Sequence, residues 1–473
     1  MSDDLLDINY RLGLFLTRIE PGCELIDCTQ VTAGASQQTF KITVKTANDE
    51  QVQYALRREQ PNQVNRSSGQ LTAALEARVL KLASSSGVLV PDIRAELEER
   101  DGLGQGYLMA WLEGETLGQR IVKRPEFETV RQSLAFECGR ELAKIHAIPV
   151  DEDLAAALSE VSPEALVRET WAAYQALGSP QPMIDFTAQW LLNNLPEFTS
   201  PTLVHGDFRN GNLMIDESGL VAVLDWELAH IGDPMRDLGW LCVNSWRFGY
   251  SSNPVGGFGA VDDLISGYES VAATRVDRCA IEFWQVFGSF WWSVTTLGMA
   301  ATWRSGETPS LERPVIGRRS SEAQLDCVNL LIPGPASLPD DGVTNLSGDL
   351  PEVAELISSV SRYLSESVAP SSSGAVQFIA RVAANSLAIA ERETTMGRIL
   401  NQAEHARLHD ICGDGDLPSL RQQLCTELRA GNLRESKQVA DHLRQTAVDR
   451  CWVDQPKYSA LKVYPGQQTA GAN

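Results

Sequence analysis

One segment constrains this chain more than any other: His205-Gly206-Asp207-Phe208-Arg209-Asn210-Gly211-Asn212. It leads into the apolar Leu213-Met214-Ile215, a turn over 216–219, and then Val221-Ala222-Val223-Leu224 ending in Asp225-Trp226-Glu227. Two short apolar runs joined by a turn read as a strand pair. Such a pair returns Asp225 to the side of Asn212, so residues distant in sequence share one place. Phosphoryl transfer needs a carboxylate that orients the attacking hydroxyl and takes its proton, with oxygen ligands that hold Mg²⁺ against nucleotide phosphates. Asp207, Asn212 and Asp225 supply that set.

The surrounding sequence predicts an α+β chain. Residues 24–31, 39–46 and 51–57 read as strands, with Val52, Tyr54 and Leu56 alternating on one face. A helix over 71–83 follows, with Leu71, Leu75, Val79 and Leu82 on one stripe, and then strands over 88–93 and 106–112. Beyond Glu113-Gly114 the pattern turns helical over 126–146, 163–177 and 184–195, broken by brief strands at 213–215 and 221–224. Residues 332–350 combine Pro, Gly, Ser and Asp without periodicity, as a linker does. Past it, 375–391, 399–411, 417–429 and 439–452 carry the apolar spacing of a small antiparallel helical bundle. The expected domains are therefore 1–114, 115–331 and 351–473, with the linker between the last two and with 1–331 folding without the tail.

Charge excludes several partners. The chain has 473 residues and a net charge of −22, which repels nucleic acid and anionic membrane surfaces. Residues 351–473 hold 13 basic and 14 acidic side chains, so the negative charge sits in the first 350 residues and marks the tail as a different body. Nine cysteines without a C-x-x-C pair read as reduced thiols, and the acidic start lacks the features of a signal peptide, so a cytoplasmic protein is expected. The uncharged run 283–303 is long enough to span a bilayer. Its polar interruptions and the helical spacing of Phe283, Phe287, Phe290 and Val294 predict a core helix instead, and no membrane partner.

H-G-D-x-x-x-x-N, then L-D-W-E, then Gly232-Asp233-Pro234-x-x-Asp237 stand in the order that resembles the aminoglycoside phosphotransferase and choline kinase superfamily. The likeness covers residues 25 to about 330. The wording Trp226-Glu227 to Pro234, and Glu312 through Gly317-Arg318-Arg319, resembles the phosphotransferase modules associated with acyl-CoA dehydrogenases. The resemblance implies a two-lobed protein-kinase-like fold: a small antiparallel sheet lobe that binds nucleotide and a mostly helical lobe that binds the acceptor. It makes Asp207 the catalytic base, His205 the brace of the catalytic loop, and Asn212 and Asp225 the Mg²⁺ ligands, with Glu227 assisting a second metal or the loop. Asp233 and Asp237 are given structural roles. ATP, the co-substrate, is expected at the small-residue loop holding Gly34 and Ser36, at Arg57 where kinases carry Lys, at its partner Glu76, and at the hinge residue Glu113. The tail resembles a helical domain of uncharacterised function that accompanies these modules.

The expected function is Mg²⁺-dependent transfer of the ATP γ-phosphoryl group to a hydroxyl of a small-molecule acceptor. The branch implies a hydroxy acid or hydroxyacyl-CoA, and Arg304, Arg313, Arg318 and Arg319 are the cations expected to receive it. Two other readings stand beside it: a non-catalytic nucleotide-binding regulatory module in which Arg57 marks decay, and a kinase for a cationic amine or aminoglycoside caged by Trp284, Trp291 and Trp292. Protein partners are left open. His146 is read as a helix C-terminal cap, and Arg381 with Asn385 as a buried polar pair.

Overall fold

Ile8, Leu12, Phe15, Leu16 and Ile19 recur at helical spacing near the start of the chain, and they form the buried stripe of an unanticipated first helix, α1 (Asp3–Ile19). The computed structural model describes residues 3–33, 37–59, 69–306, 310–332, 334–339 and 353–462. Gly34 and Ser36 lie outside the described residues.

Helix α1 packs its stripe on Phe40, Ile42, Val44, Leu56 and Leu108 of a five-stranded antiparallel sheet. The strands are β1 (Glu24–Ala33), β2 (Gln37–Lys45), β3 (Gln51–Glu59), β4 (Ile93–Glu96) and β5 (Gly106–Ala110), in the order β1-β2-β3-β5-β4. Arg57 therefore sits on the central strand, in register with Thr39 on one side and Tyr107 on the other. Alternation puts Tyr54 and Leu56 with the α1 core and turns Arg57 to the opposite face, where α2 (Ala73–Ser85) carries Glu76. The Thr72 hydroxyl caps α2 by accepting from the Leu75 N–H at 3.1 Å. A larger core joins α2 to helix Glu128–His146, helix Val261–Glu269, and two short antiparallel pairs. These pairs are β6 (Thr202–Val204) with β9 (His230–Gly232), and β7 (Leu213–Asp216) with β8 (Gly219–Val223).

Contacts gather the chain into two units, each discontinuous in sequence. The first comprises Met1–Ser162, Phe198–Cys242 and Trp246–Trp284, and it holds the sheet and both short strand pairs. The second comprises Pro163–Glu197, Val243–Ser245 and Gln285–Asn473. Helices Pro163–Ala176 and Pro182–Asn193, expected in the catalytic body, thus group with the C-terminal helices. The physical reason is visible at Asp185, which is fully buried and receives Arg429 at 2.7 and 3.1 Å, Trp171 Nε1 at 2.7 Å and the Tyr174 hydroxyl at 3.2 Å. A carboxylate taken out of water needs those donors, and one of them lies 244 residues away.

Within the second unit the expected helices over 375–391 and 399–411 are one helix, Gly374–Cys412. Gly397 weakens the stretch between them by about 1 kcal/mol and Thr394 and Thr395 by less, while Arg392 there donates to the Val453 carbonyl at 2.6 Å. Helices Leu417–Arg429 and Lys437–Asp454 pack against it. Glu404 is buried between Arg421 at 2.5 Å and Arg450 at 3.1 Å, and although burial opposes its charge the two arginines pull its carboxyl down to about 2. Arg381 and Asn385 are exposed, not a buried pair, because the face of the long helix that packs runs through Ala380 and Ala384. Helix Arg278–Arg304 includes the uncharged run, and among the described residues no helix is long and apolar enough to cross a membrane. All nine cysteines are free thiols.

Candidate active site

The loop 205–212 runs from β6 to β7, and backbone hydrogen bonds set its shape. Asp237, fully buried, accepts from the His205 N–H at 2.7 Å and the Gly206 N–H at 2.9 Å, and meets His146 Nε2 at 3.2 Å. Burial alone would raise this carboxyl, but the His146 hydrogen bond and the loop donors outweigh it and hold it at about 2. His146 is thus a buried partner of Asp237 and of the Tyr268 hydroxyl at 3.1 Å, not a helix cap: its ring leaves the helix end for the core.

His205 is buried against Trp226, with ring centroids 4.7 Å apart. Its Nδ1 accepts from the Asp207 N–H at 3.2 Å, so Nε2 carries the proton and donates to the Leu224 carbonyl at 3.0 Å. Burial lowers its pKa, which keeps the ring neutral. The imidazole therefore links the loop to the strand end that delivers Asp225.

Asp207 is surrounded by donors. Oδ1 accepts from Trp240 Nε1 at 2.8 Å, Oδ2 from Asn212 Nδ2 at 2.6 Å, and Arg209 Nε stands 3.1 Å from both. Neither Arg209 nor Trp240 stood out in the sequence, because H-G-D-x-x-x-x-N marks only the ends of the loop. Asn212 and Asp225 are brought together by the β7–β8 pair, where the Leu224 N–H donates to the Asn212 carbonyl at 2.8 Å. Asp225 itself has a left-handed backbone, with φ of 67°.

Arg57 reaches this place from the sheet. Its guanidinium meets Asp225 Oδ1 at 2.5 Å, Glu76 Oε1 at 3.4 Å and Glu227 Oε2 at 3.8 Å, and its Nε bonds to the Gln37 amide oxygen. Gln37 in turn donates to Glu76 Oε2 at 3.0 Å. Burial disfavours the Arg57 charge, yet Glu76, Tyr107 and Asp225 overcome that and raise its pKa above the ordinary value. Glu76 is 1% exposed, and burial raises its carboxyl against the pull of Arg57 and Gln37. Glu227 also accepts from Gln70 at 3.2 Å. Glu113 stands apart from this cluster, exposed and bound to Trp111 Nε1 at 2.7 Å. Oxygen atoms of Asn212 and Asp225 are the donor set a hard divalent cation takes, and Asp225 Oδ2 meets no donor among the described residues.

Residues 27–273 match the phosphotransferase enzyme family, more than half of the chain. The chain belongs to that family. Residues 370–458 of this phosphotransferase match a domain of unknown function (DUF6285). A provisionally assigned aminoglycoside phosphotransferase from Ralstonia eutropha shares its fold, with a TM-score of 0.53 and 21% identity over 68% of this chain and 97% of the other. Among curated proteins, mouse acyl-CoA dehydrogenase family member 10 is 30% identical over 36% of this chain, and human family member 11 is 28% identical over 44%. The matched stretches span only 16% and 27% of those two relatives. The kinase-like fold of the phosphotransferase, with a small antiparallel sheet and a helical C-terminal region, is as expected.

Proposed function

We propose that the protein transfers the γ-phosphoryl group of ATP, with Mg²⁺, to a hydroxyl of a small metabolite. The observation that carries this reading is the meeting of Arg57, Asp225, Asn212 and Asp207, from the central strand, the β8 end and the loop, in one unit. Asp207 accepts the hydroxyl proton as the acceptor oxygen bonds to phosphorus; the bond to the bridging oxygen breaks, and ADP leaves. Asn212 and Asp225 would hold Mg²⁺, which when bound offsets phosphate charge. Arg57, oriented by Glu76 and Gln37, supplies planar donors for phosphate oxygens, so Arg in place of Lys is compatible with activity. A binding-only module has no need of a base beside the metal-ligand pair.

The acceptor class proposed is a hydroxy acid or its CoA thioester, supported by the names of the curated relatives and by the cation Arg209 beside Asp207. Of the arginines expected to receive it, Arg318 is engaged by Asp454 at 2.5 Å and Glu393 at 2.6 Å, and Arg319 by Glu322 at 3.1 Å, so those two lend the proposal no weight. Trp284 is buried and donates to Asp233 at 2.8 Å, which removes one wall of an aromatic cage. Steady-state ADP release with 3-hydroxybutyrate, 3-hydroxybutyryl-CoA, choline and kanamycin tests the class. The acyl substrates are expected to show the higher kcat/KM; a higher value for either amine overturns it.

A further inference from the structure

We propose that Arg209 is a latch on Asp207, released when an anionic group of the acceptor draws its guanidinium away, so that phosphoryl transfer waits for the acceptor. This deepens, and rests on, the reading of Asp207 as the base.

A carboxylate offers about four lone-pair directions. Trp240 Nε1 takes one on Oδ1 and Asn212 Nδ2 one on Oδ2, while the single Arg209 Nε–H is shared between both oxygens at 3.1 Å. A hydroxyl that gives its proton to Asp207 must take the place of one donor. Trp240 is fully buried and Asn212 is 5% exposed, whereas the Arg209 side chain is 28% exposed, so Arg209 is the donor that can leave.

Its seat is built for movement. The guanidinium lies 5.0 Å over the Trp246 ring, a surface that holds a cation without fixing its direction. Gly211 makes the room: a Cβ there would stand 2.6 Å from Arg209 Nη1. Turned off Asp207, the guanidinium keeps the Trp246 face and presents paired N–H groups beside the base, the geometry that receives a carboxylate or phosphate. A cationic acceptor has no means to draw it off. Water, being neutral, has none either, which restrains wasteful hydrolysis of ATP.

The test uses the full chain with Mg²⁺ and ATP but no acceptor, and reads phosphate release. Arg209→Ala and Arg209→Gln, each checked for an unchanged melting transition, are expected to hydrolyse ATP about tenfold faster than wild type, the effect of removing one charge-assisted hydrogen bond from the base. Butyrate, an anion without a hydroxyl, is expected to raise wild-type hydrolysis at millimolar concentration above a chloride control of equal ionic strength, and to leave both variants unchanged. Equal or slower hydrolysis by both variants overturns the latch, as does a wild-type rate indifferent to butyrate. Asp207→Asn separates the two readings. If it lowers wild-type hydrolysis while the Arg209 variants show no gain, the latch alone fails; if the gain of Arg209→Ala persists in the double variant with Asp207→Asn, the base assignment fails with it.

Discussion

Asp185 and Arg429 form a two-pronged ion pair at 2.7 and 3.1 Å, with the carboxylate entirely out of water. Removing the arginine leaves a buried charge whose remaining donors are neutral. Arg429→Ala is therefore expected to cost about 3–5 kcal/mol of stability, read as a lower urea midpoint at unchanged slope. By the same contact, a chain cut after residue 331 loses the cooperative transition that helices Pro163–Ala176 and Pro182–Asn193 share with the tail. Separate melting of the truncated chain with an intact midpoint would contradict this.

Arg57→Ala strands Glu76, which is 1% exposed, and removes the cation proposed to hold phosphate. The expected outcome is a loss of about 3–5 kcal/mol in unfolding free energy with a raised KM for ATP and a lowered kcat. Arg57→Lys keeps the charge but not the fork that reaches Glu76, Asp225 and Gln37 together, so part of both properties should return. Wild-type kinetics in Arg57→Ala would assign the phosphates to another residue.

Asp207→Asn retains hydrogen-bonding shape and loses the proton acceptor. We expect kcat to fall by about two to four orders of magnitude while calorimetry still finds nucleotide bound with little change in affinity. Undiminished turnover would remove Asp207 from the chemistry.

Burial lowers three histidines, His205, His230 and His442, and together they set a pH dependence. Burial, with Arg236 nearby, lowers His230 to about 3, and burial, against the pull of Glu404 and with Arg407, Arg450 and Arg421 around it, lowers His442 to about 4. Below the unfolded value near 6.5, the unfolded chain binds protons that the native chain refuses, so stability falls as pH drops from 6.5 toward 4. His442→Phe should remove about 2 kcal/mol of that dependence between pH 7 and 5, measured as a flatter plot of melting temperature against pH over that range. Glu404, held at about 2, begins to act only below its unfolded range near 4.5 and does not disturb that window.

The site was legible in sequence where spacing carries geometry. A turn between two apolar runs is enough to bring Asp225 back to Asn212, and alternation along β3 is enough to set Arg57 opposite Leu56. What spacing does not carry is contact through backbone donors or through distant ion pairs. Asp237 orders the loop through backbone N–H groups that every residue but proline has, and Asp185 chooses a partner at the far end of the chain. Helix α1 opens on an acidic stretch that reads equally well as solvated chain, and only packing on the sheet gives the stripe from Ile8 to Ile19 its meaning. Arg209 and Trp240 lie at positions the motif leaves open, and only their convergence on one carboxylate gives them meaning.

The left-handed backbone of Asp225, at φ of 67°, has a consequence beyond its charge. Few side chains settle in that region, and the short amide and carboxylate of Asn and Asp do so far more readily than longer or branched ones. Two demands of different origin, one from the torsion and one from the oxygen it must present, therefore fall on a single place and are met together by one residue type. Glu would keep the charge and resist the torsion; Gly would welcome the torsion and lose the oxygen. The reach of this carboxylate is thus set by the chain's own turn, and the position of whatever it binds is inherited from the backbone.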